Sequence, residues 1–439
     1  MSDNRRSVWG DSAWLSAQSL IISAVGLVII ALAARLYGPA GLGELTFMVA
    51  LMTLTTPIMT LGLDAVVLQS LVNREVEDQR LLGLAIRLRL AAGTALLIVV
   101  MAIGWLMGLP LESQVIAAAI FGALLLRSGE IYLSWFQARG RIAHGAQARV
   151  IAYLGTSLAR LYVVMKGLPI TAYAGTYTLD ALLTWVSYRS AFRPGPEPKA
   201  QDRVQSGVAL TFLRRSWPLI LSGLAVSFYN RVDQVMLGAM KSDKRDAGLY
   251  AACTTLAELW YFLPMAVIAA SQAGVHASHA RGVHKFLRTT QVLYNRVASL
   301  GWICALGIAC LSYWLLMLAF GQDYASRETM LCVILLATAG LLAVLGSARA
   351  PWLIAEGLQK YTLVHLLAGG AVNVALNFAL IPPLGIVGAA AATLVSQTVA
   401  VVLVPWMMPA TRISARQILY ALARPGWRDV ARIAIIWRR

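Results

Sequence analysis

The stretch WPLILSGLAVSFYNRVDQVML, Trp217–Leu237, decides the fold. A helix needs about 20 predominantly apolar residues to cross a hydrocarbon core of about 30 Å, and this stretch has the length. Inside it stand Arg231 and Asp233, with Tyr229, Asn230 and Gln234 beside them. An ion at the centre of a bilayer costs at least about 2.5 kcal/mol, so such residues face a bundle interior or a wet cavity. The stretch reads as a membrane helix that handles something polar.

Similar runs recur from end to end. They fall at 12–34, 44–70, 85–109, 113–136, 145–165, 168–188, 211–238, 246–272, 292–320, 329–350, 358–381 and 384–408. Of 439 residues, 59% are hydrophobic and 13% charged, and mean hydropathy is +0.69. A soluble fold of this composition would need helices buried all round. The expectation is an all-α polytopic membrane protein of twelve spans. The first run is too long for the apolar region of a signal peptide and reads as the first span. Cys253, Cys304, Cys310 and Cys332 lack metal or disulfide spacing. Neither a zinc arrangement of histidines nor a phosphate-binding glycine-rich loop is present, so no metal and no direct ATP drive are expected.

The net charge of +17 would suggest nucleic acid in a soluble protein. Here 28 of the 37 Lys and Arg residues fall in the tails, in one alternating set of loops and at the span ends beside them. Cytoplasmic loops carry that excess, so both termini are expected in the cytoplasm and no nucleic-acid partner is expected. The longest loop, SYRSAFRPGPEPKAQDRVQSG, follows the sixth run and reads as a linker between halves. The expected organisation is a six-helix bundle over 1–190, a linker over 191–210, a second bundle over 211–408 and a basic amphipathic tail over 409–439. The tail alternates arginines with apolar residues, and Pro425-Gly426 breaks it in two.

A weak repeat supports duplication. Gly41-Leu42 is followed at one spacing by Pro57, and Gly248-Leu249 at the same spacing by Pro264. Two halves of equal topology are expected to pack as a parallel pair around a central cavity, as in secondary transporters. Pro57 and Pro264 would each free a backbone carbonyl and bend their helix, a gating role. The alternative is simple tolerance of proline in a membrane helix.

The charges inside the runs are the candidate site. Arg231 and Gln234, three apart, form a stripe on one helix face, with Tyr229 close by; Arg231 and Asp233 do not share a face. A guanidinium suits phosphate because its fork makes two parallel bonds. Arg127, Arg160 and Arg35 complete the cationic, substrate-binding set. Snorkelling toward the interface is the alternative for Arg231 and Arg160. Arg127 and Glu130 have the spacing of an internal salt bridge, or Glu130 titrates in a wet cavity. Asp64 and Asp180 each need an arginine, a proton or a cation. Together with Asp233, Glu258 and Glu130 they are the candidate couplers of H⁺ or Na⁺. No catalytic residue is expected.

Three segments carry a family resemblance. ARLYGPAGLGELTFMVALMTLTTPIMTLGLDAVVLQSL resembles the first repeat of polysaccharide repeat-unit exporters. SFYNRVDQVMLGAMKSDKRDAGLYAACTTLAELWYFLPMAVI resembles spans seven and eight of the O-antigen flippases. NVALNFALIPPLGIVGAAAATLVSQTVA resembles their eleventh and twelfth spans. The clearest motifs are Tyr229–Leu237, Gly248–Tyr250 and Asn373–Thr393. These exporters belong to the multidrug, oligosaccharidyl-lipid and polysaccharide exporter superfamily. The resemblance implies a flippase in the bacterial inner membrane, moving undecaprenyl-pyrophosphate-linked oligosaccharides to the outer leaflet by ion-coupled alternating access. It implies membrane lipids, a polysaccharide polymerase and a chain-length regulator as partners, and a working monomer. The alternative within the superfamily is a multidrug or small-solute cation antiporter, whose cavity would be net acidic.

Overall fold

The computed structural model describes residues 2–73, 77–193, 208–240 and 243–424. The linker at 194–207 and the tail beyond Arg424, with Pro425-Gly426, lie outside them. Among the described residues every regular element is helical, as a bilayer requires, because only intrahelical hydrogen bonds satisfy the backbone of an isolated spanning segment.

In chain order the helices are α1 (Ser2–Thr60), α2 (Leu63–Asn73), α3 (Asp78–Leu106) and α4 (Leu111–Leu126). A 3₁₀ segment (Arg127–Ile131) leads into α5 (Tyr132–Ala138), and α6 (Ile142–Met165) and α7 (Ile170–Ala191) follow. Next come α8 (Val208–Met240), α9 (Arg245–Glu258), α10 (Phe262–His279), α11 (Val283–Ala319), α12 (Arg327–Ala348) and α13 (Ala350–Ala355). The last are α14 (Lys360–Thr398), a π-helical turn (Val399–Leu403), α15 (Val404–Met407) and α16 (Arg412–Ala423).

Seven described helical stretches are long and apolar enough to cross a membrane, or eight when the α9–α10 pair, bent by 44°, is taken as one span. By this measure twelve is not reached, for two reasons. Ile21–Asn73 and Lys360–Met407 each count once, although Gly38 (φ 66°) and Gly385 (φ 54°) break the helical path inside them. In addition, α7 and α8 carry Asp180, Arg189, Arg214, Arg215, Arg231 and Asp233, which lower their hydropathy.

The two prolines lie differently from one another. Helix α1 runs through Pro57 and ends at Thr60, where Leu61 (φ 53°) and Gly62 (φ 60°) turn the chain. A Cβ on Gly62 would lie 2.8 Å from the Ser216 carbonyl oxygen, so this turn needs glycine for space as well as for φ. Pro264 instead sits in the first turn of α10, after the bend, where its missing N–H costs nothing.

The chain divides into two compact units, Met1–Tyr37 with Glu44–Ser227, and Gly38–Gly43 with Phe228–Arg439. The boundary at 227/228 lies within α8. The first unit has one core around Ile120, Phe121 and Met48 and another around Trp135, Phe136 and Phe212. The second is built around Trp260, Tyr294 and Leu345. Amphipathic α16 docks on α11 by burying Ser414, Ala415, Ile418 and Ala421. Gln417 Nε2 donates to the Leu287 carbonyl (2.7 Å), and Trp302 Nε1 donates to that of Leu422 (3.2 Å).

Candidate functional site: a carboxylate cavity in the second unit

Asp233 is 8% exposed on α8, and three donors reach it. The Tyr250 hydroxyl, from α9, donates to Oδ2. Thr393 Oγ1, from α14, lies 3.4 Å from the same oxygen. The Gln234 backbone N–H donates to Oδ1 at 2.8 Å. Among the described residues no Lys or Arg is ion-paired with Asp233 or Glu258. A buried carboxylate served by hydroxyls and an amide keeps oxygen lone pairs for a proton or a hard cation.

These groups wall a cavity of about 120 Å³ whose lining includes Tyr229, Asp233, Gln234, Tyr250, Glu258 and Tyr261. That volume holds several waters or an ion with part of its shell. Among the described residues its carboxylic acids are Asp233 and Glu258, and no Lys or Arg lines it. Among the described residues the buried Tyr229 hydroxyl has no hydrogen-bond partner, so it too is available to a guest. Arg231 is half-buried, and its Nη1 donates to Oε1 of the lining residue Gln234 at 3.3 Å. It stands beside the cavity and is not part of its lining.

In the first unit most of the candidate charges are already paired. Arg127 Nε meets Glu130 Oε1 at 2.7 Å, within the 3₁₀ segment. Asp64 lies 2.8 Å from Arg89 Nη2. Asp180 receives both arms of Arg149, at 3.0 and 3.1 Å. Arg160 differs. It is 8% exposed, its Nε donates to Thr176 Oγ1 at 3.1 Å, and its guanidinium lies 4.8 Å from the Tyr177 ring centroid and 5.9 Å from that of Tyr153. Aromatic faces stabilise a cation without cancelling its charge, so this buried site stays positive. Arg35 is exposed on α1.

The structure therefore gathers Tyr229, Asp233, Gln234 and Glu258, and leaves Asp64, Glu130 and Asp180 in separate ion pairs. Sequence reasoning missed Tyr250 and Thr393, although both stand inside the quoted family motifs. It also missed the pairing roles of Arg89 and Arg149, which it had counted only among the charges of the cytoplasmic loops and span ends.

The family described as polysaccharide biosynthesis protein matches residues 8–272, which take in Arg160, Asp233, Tyr250 and Glu258. No curated protein matches the sequence. Solved structures share the fold. A lipid II flippase MurJ in an inward closed conformation aligns with TM-score 0.67 and 14% identity, over 96% of this chain and 89% of that one. An inward-facing multidrug resistance MATE family transporter of the MOP superfamily aligns with TM-score 0.65 and 14% identity, over 96% and 95%. A MOP superfamily transporter from Pyrococcus furiosus aligns with TM-score 0.62 and 12% identity, over 94% and 96%. With its fold shared by these transporters and a match running over more than half its length, the chain belongs to the polysaccharide biosynthesis protein family.

Proposed function

We propose that this protein is an ion-coupled secondary transporter in which Asp233 and Glu258 take up the coupling H⁺ or Na⁺. The observation that carries the reading is the Asp233 carboxylate, buried in a membrane helix and held by Tyr250 and Thr393, with no ion pair to Lys or Arg among the described residues. Dividing α1 and α14 at Gly38 and Gly385, and counting α7 and α8 as spans, gives twelve. That count agrees with two six-helix halves and cytoplasmic termini.

The cargo we assign is a lipid-linked polysaccharide repeat unit, undecaprenyl-pyrophosphate-linked in a bacterium. Family membership supports it, as does Arg160, a buried cation facing tyrosines. Arg160 would offset phosphate charge, the tyrosines would stack on sugar faces, and a polymerase and chain-length regulator would act on the product. Arg231 and Arg127 are weaker candidates, being engaged by Gln234 and Glu130.

Structural likeness favours the second reading, a multidrug or small-solute cation antiporter. MATE transporters recur among proteins of this fold, and the 120 Å³ cavity is acid-lined. Reconstitution separates the two. Vesicles carrying the protein are given an H⁺ or Na⁺ gradient, with either a prenyl-pyrophosphate-linked glycan or a fluorescent organic cation. Glycan translocation lost in R160A and D233N supports the first reading. Cation efflux lost in D233N and E258Q but kept in R160A supports the second. Translocation that ignores the gradient in wild type sinks ion coupling.

A further inference from the structure

Arg141, His144, Ser190, Ala191 and Arg193 line an open recess of about 540 Å³ in the first unit. It lies where α6 begins and α7 ends. Neighbouring arginines are spent elsewhere: Arg139 is held by Asp78 at 2.6 Å and Arg149 by Asp180 at 3.0 Å. Among the described residues, Arg141 and Arg193 have no carboxylate within ion-pair distance. Arg141 lies over the Trp135 ring, 5.8 Å from its centroid, which places it without neutralising it. The recess thus offers two free guanidiniums, an imidazole and a hydroxyl, the donor set that recognises a phosphate.

What lies along the same helix faces gives the recess its meaning. Seven and fourteen residues beyond His144, on the same face of α6, stand Ile151 and Leu158, 68% and 69% exposed. Four and eight residues before Ser190, on the same face of α7, stand Val186 and Leu182, 55% and 44% exposed. The two helices pack along each other. A basic recess therefore caps an apolar strip, charged at one end and greasy along its length, which is the pattern of a phospholipid. The positive-inside rule puts this arginine-rich end at the cytoplasmic face, where anionic lipids concentrate.

We propose that this recess binds the phosphodiester headgroup of an anionic glycerophospholipid of the surrounding bilayer, with the acyl chains on the α6–α7 strip. The site is separate from the Asp233 cavity and does not depend on which cargo is carried.

The test uses the purified full chain in neutral detergent, with dihexanoyl phosphatidylglycerol against dihexanoyl phosphatidylcholine as probes and the thermal unfolding midpoint as readout. Wild type should bind phosphatidylglycerol about thirtyfold more tightly, the value expected of two interfacial arginines. R141Q/R193Q should lose that preference, and A191W should weaken it by filling the recess with the charge intact. R281Q/R288Q, which removes two exposed arginines of the other unit, should keep it. Equal preference in wild type and R141Q/R193Q, or equal loss in R281Q/R288Q, overturns the site. Full displacement by inorganic phosphate at the same concentration overturns the lipid assignment, and so does binding of farnesyl pyrophosphate without phosphatidylglycerol.

Discussion

Tyr250 on α9 donates its phenolic hydrogen to the carboxylate of Asp233 on α8, and both groups are buried. The bond ties two helices through an acid that, among the described residues, makes no ion pair with Lys or Arg. A hydrogen bond to a charged acceptor contributes about 1.5–3 kcal/mol. Y250F should therefore lower the unfolding midpoint while leaving the carboxylate in place. D233N should remove the dependence of transport on the ion gradient. Because the two residues share one interaction, adding Y250F to D233N should cost clearly less than Y250F alone. Additive costs in thermal unfolding of the four proteins would show that the bond contributes nothing.

Asp233 was legible because a carboxylate in an apolar run stands out. Its partners were not. Tyr250 and Thr393 are 17 and 160 residues away, and a hydroxyl in a membrane helix carries no sign of what it meets. The first unit shows the opposite failure. Arg89 and Arg149 were counted with the cytoplasmic charges at the inner ends of the runs 85–109 and 145–165, but α3 begins at Asp78 and α6 at Ile142, so both lie two or more turns inside helices, where they meet Asp64 and Asp180. Charge counting placed the ends of these helices too far inward. Gly38 and Gly385 are the reverse, because without coordinates nothing separates them from the other glycines of a chain that has 35.

The Arg149–Asp180 pair should behave as a buried structural bridge. Its members are 21% and 20% exposed, and both guanidinium arms engage the carboxylate. Removing one partner of a buried pair costs about 3–5 kcal/mol, and partial exposure places this one near the lower end. D180N and R149M should each destabilise strongly, whereas R149M/D180L should recover much of the loss. Chemical or thermal unfolding of the three variants checks this, and an unrecovered double variant would point to a role for Asp180 beyond pairing.

Gly129 lies in the 3₁₀ segment between Arg127 and Glu130, and α7 presses on it. A Cβ there would fall 2.4 Å from the Trp185 ring. Something must move, and overpacking of this kind costs about 1–3 kcal/mol. G129A should lower stability, and W185L should rescue much of it by opening the space. If W185L leaves the G129A defect unchanged, the loss comes from the 3₁₀ backbone and the clash is relieved elsewhere.

Arg349 holds the end of the second unit together. It is 2% exposed, and among the described residues no carboxylate is ion-paired with it. Its Nη2 donates to the Val401 carbonyl in the π-helical turn, and its Nε donates to Ser414 Oγ on α16 at 3.2 Å. Ser414 in turn meets the Tyr294 hydroxyl on α11 at 2.9 Å. A π-helical turn departs from the regular α-helical hydrogen-bond ladder, and the guanidinium serves one of its carbonyls while also reaching α16. R349M keeps much of the apolar stem and deletes the donors. The Val401 carbonyl and Ser414 would then be left buried and under-bonded, at about 1–3 kcal/mol each. Most of that cost should be relieved by local release of α16, an end element held through a few polar bonds and a narrow apolar face. Limited proteolysis should cut R349M between Arg412 and Arg424 faster than wild type, while cleavage elsewhere stays unchanged. S414A should show a smaller effect in the same direction. Uniformly faster cleavage across R349M would instead mean that Arg349 supports the whole unit and that α16 is not separately held.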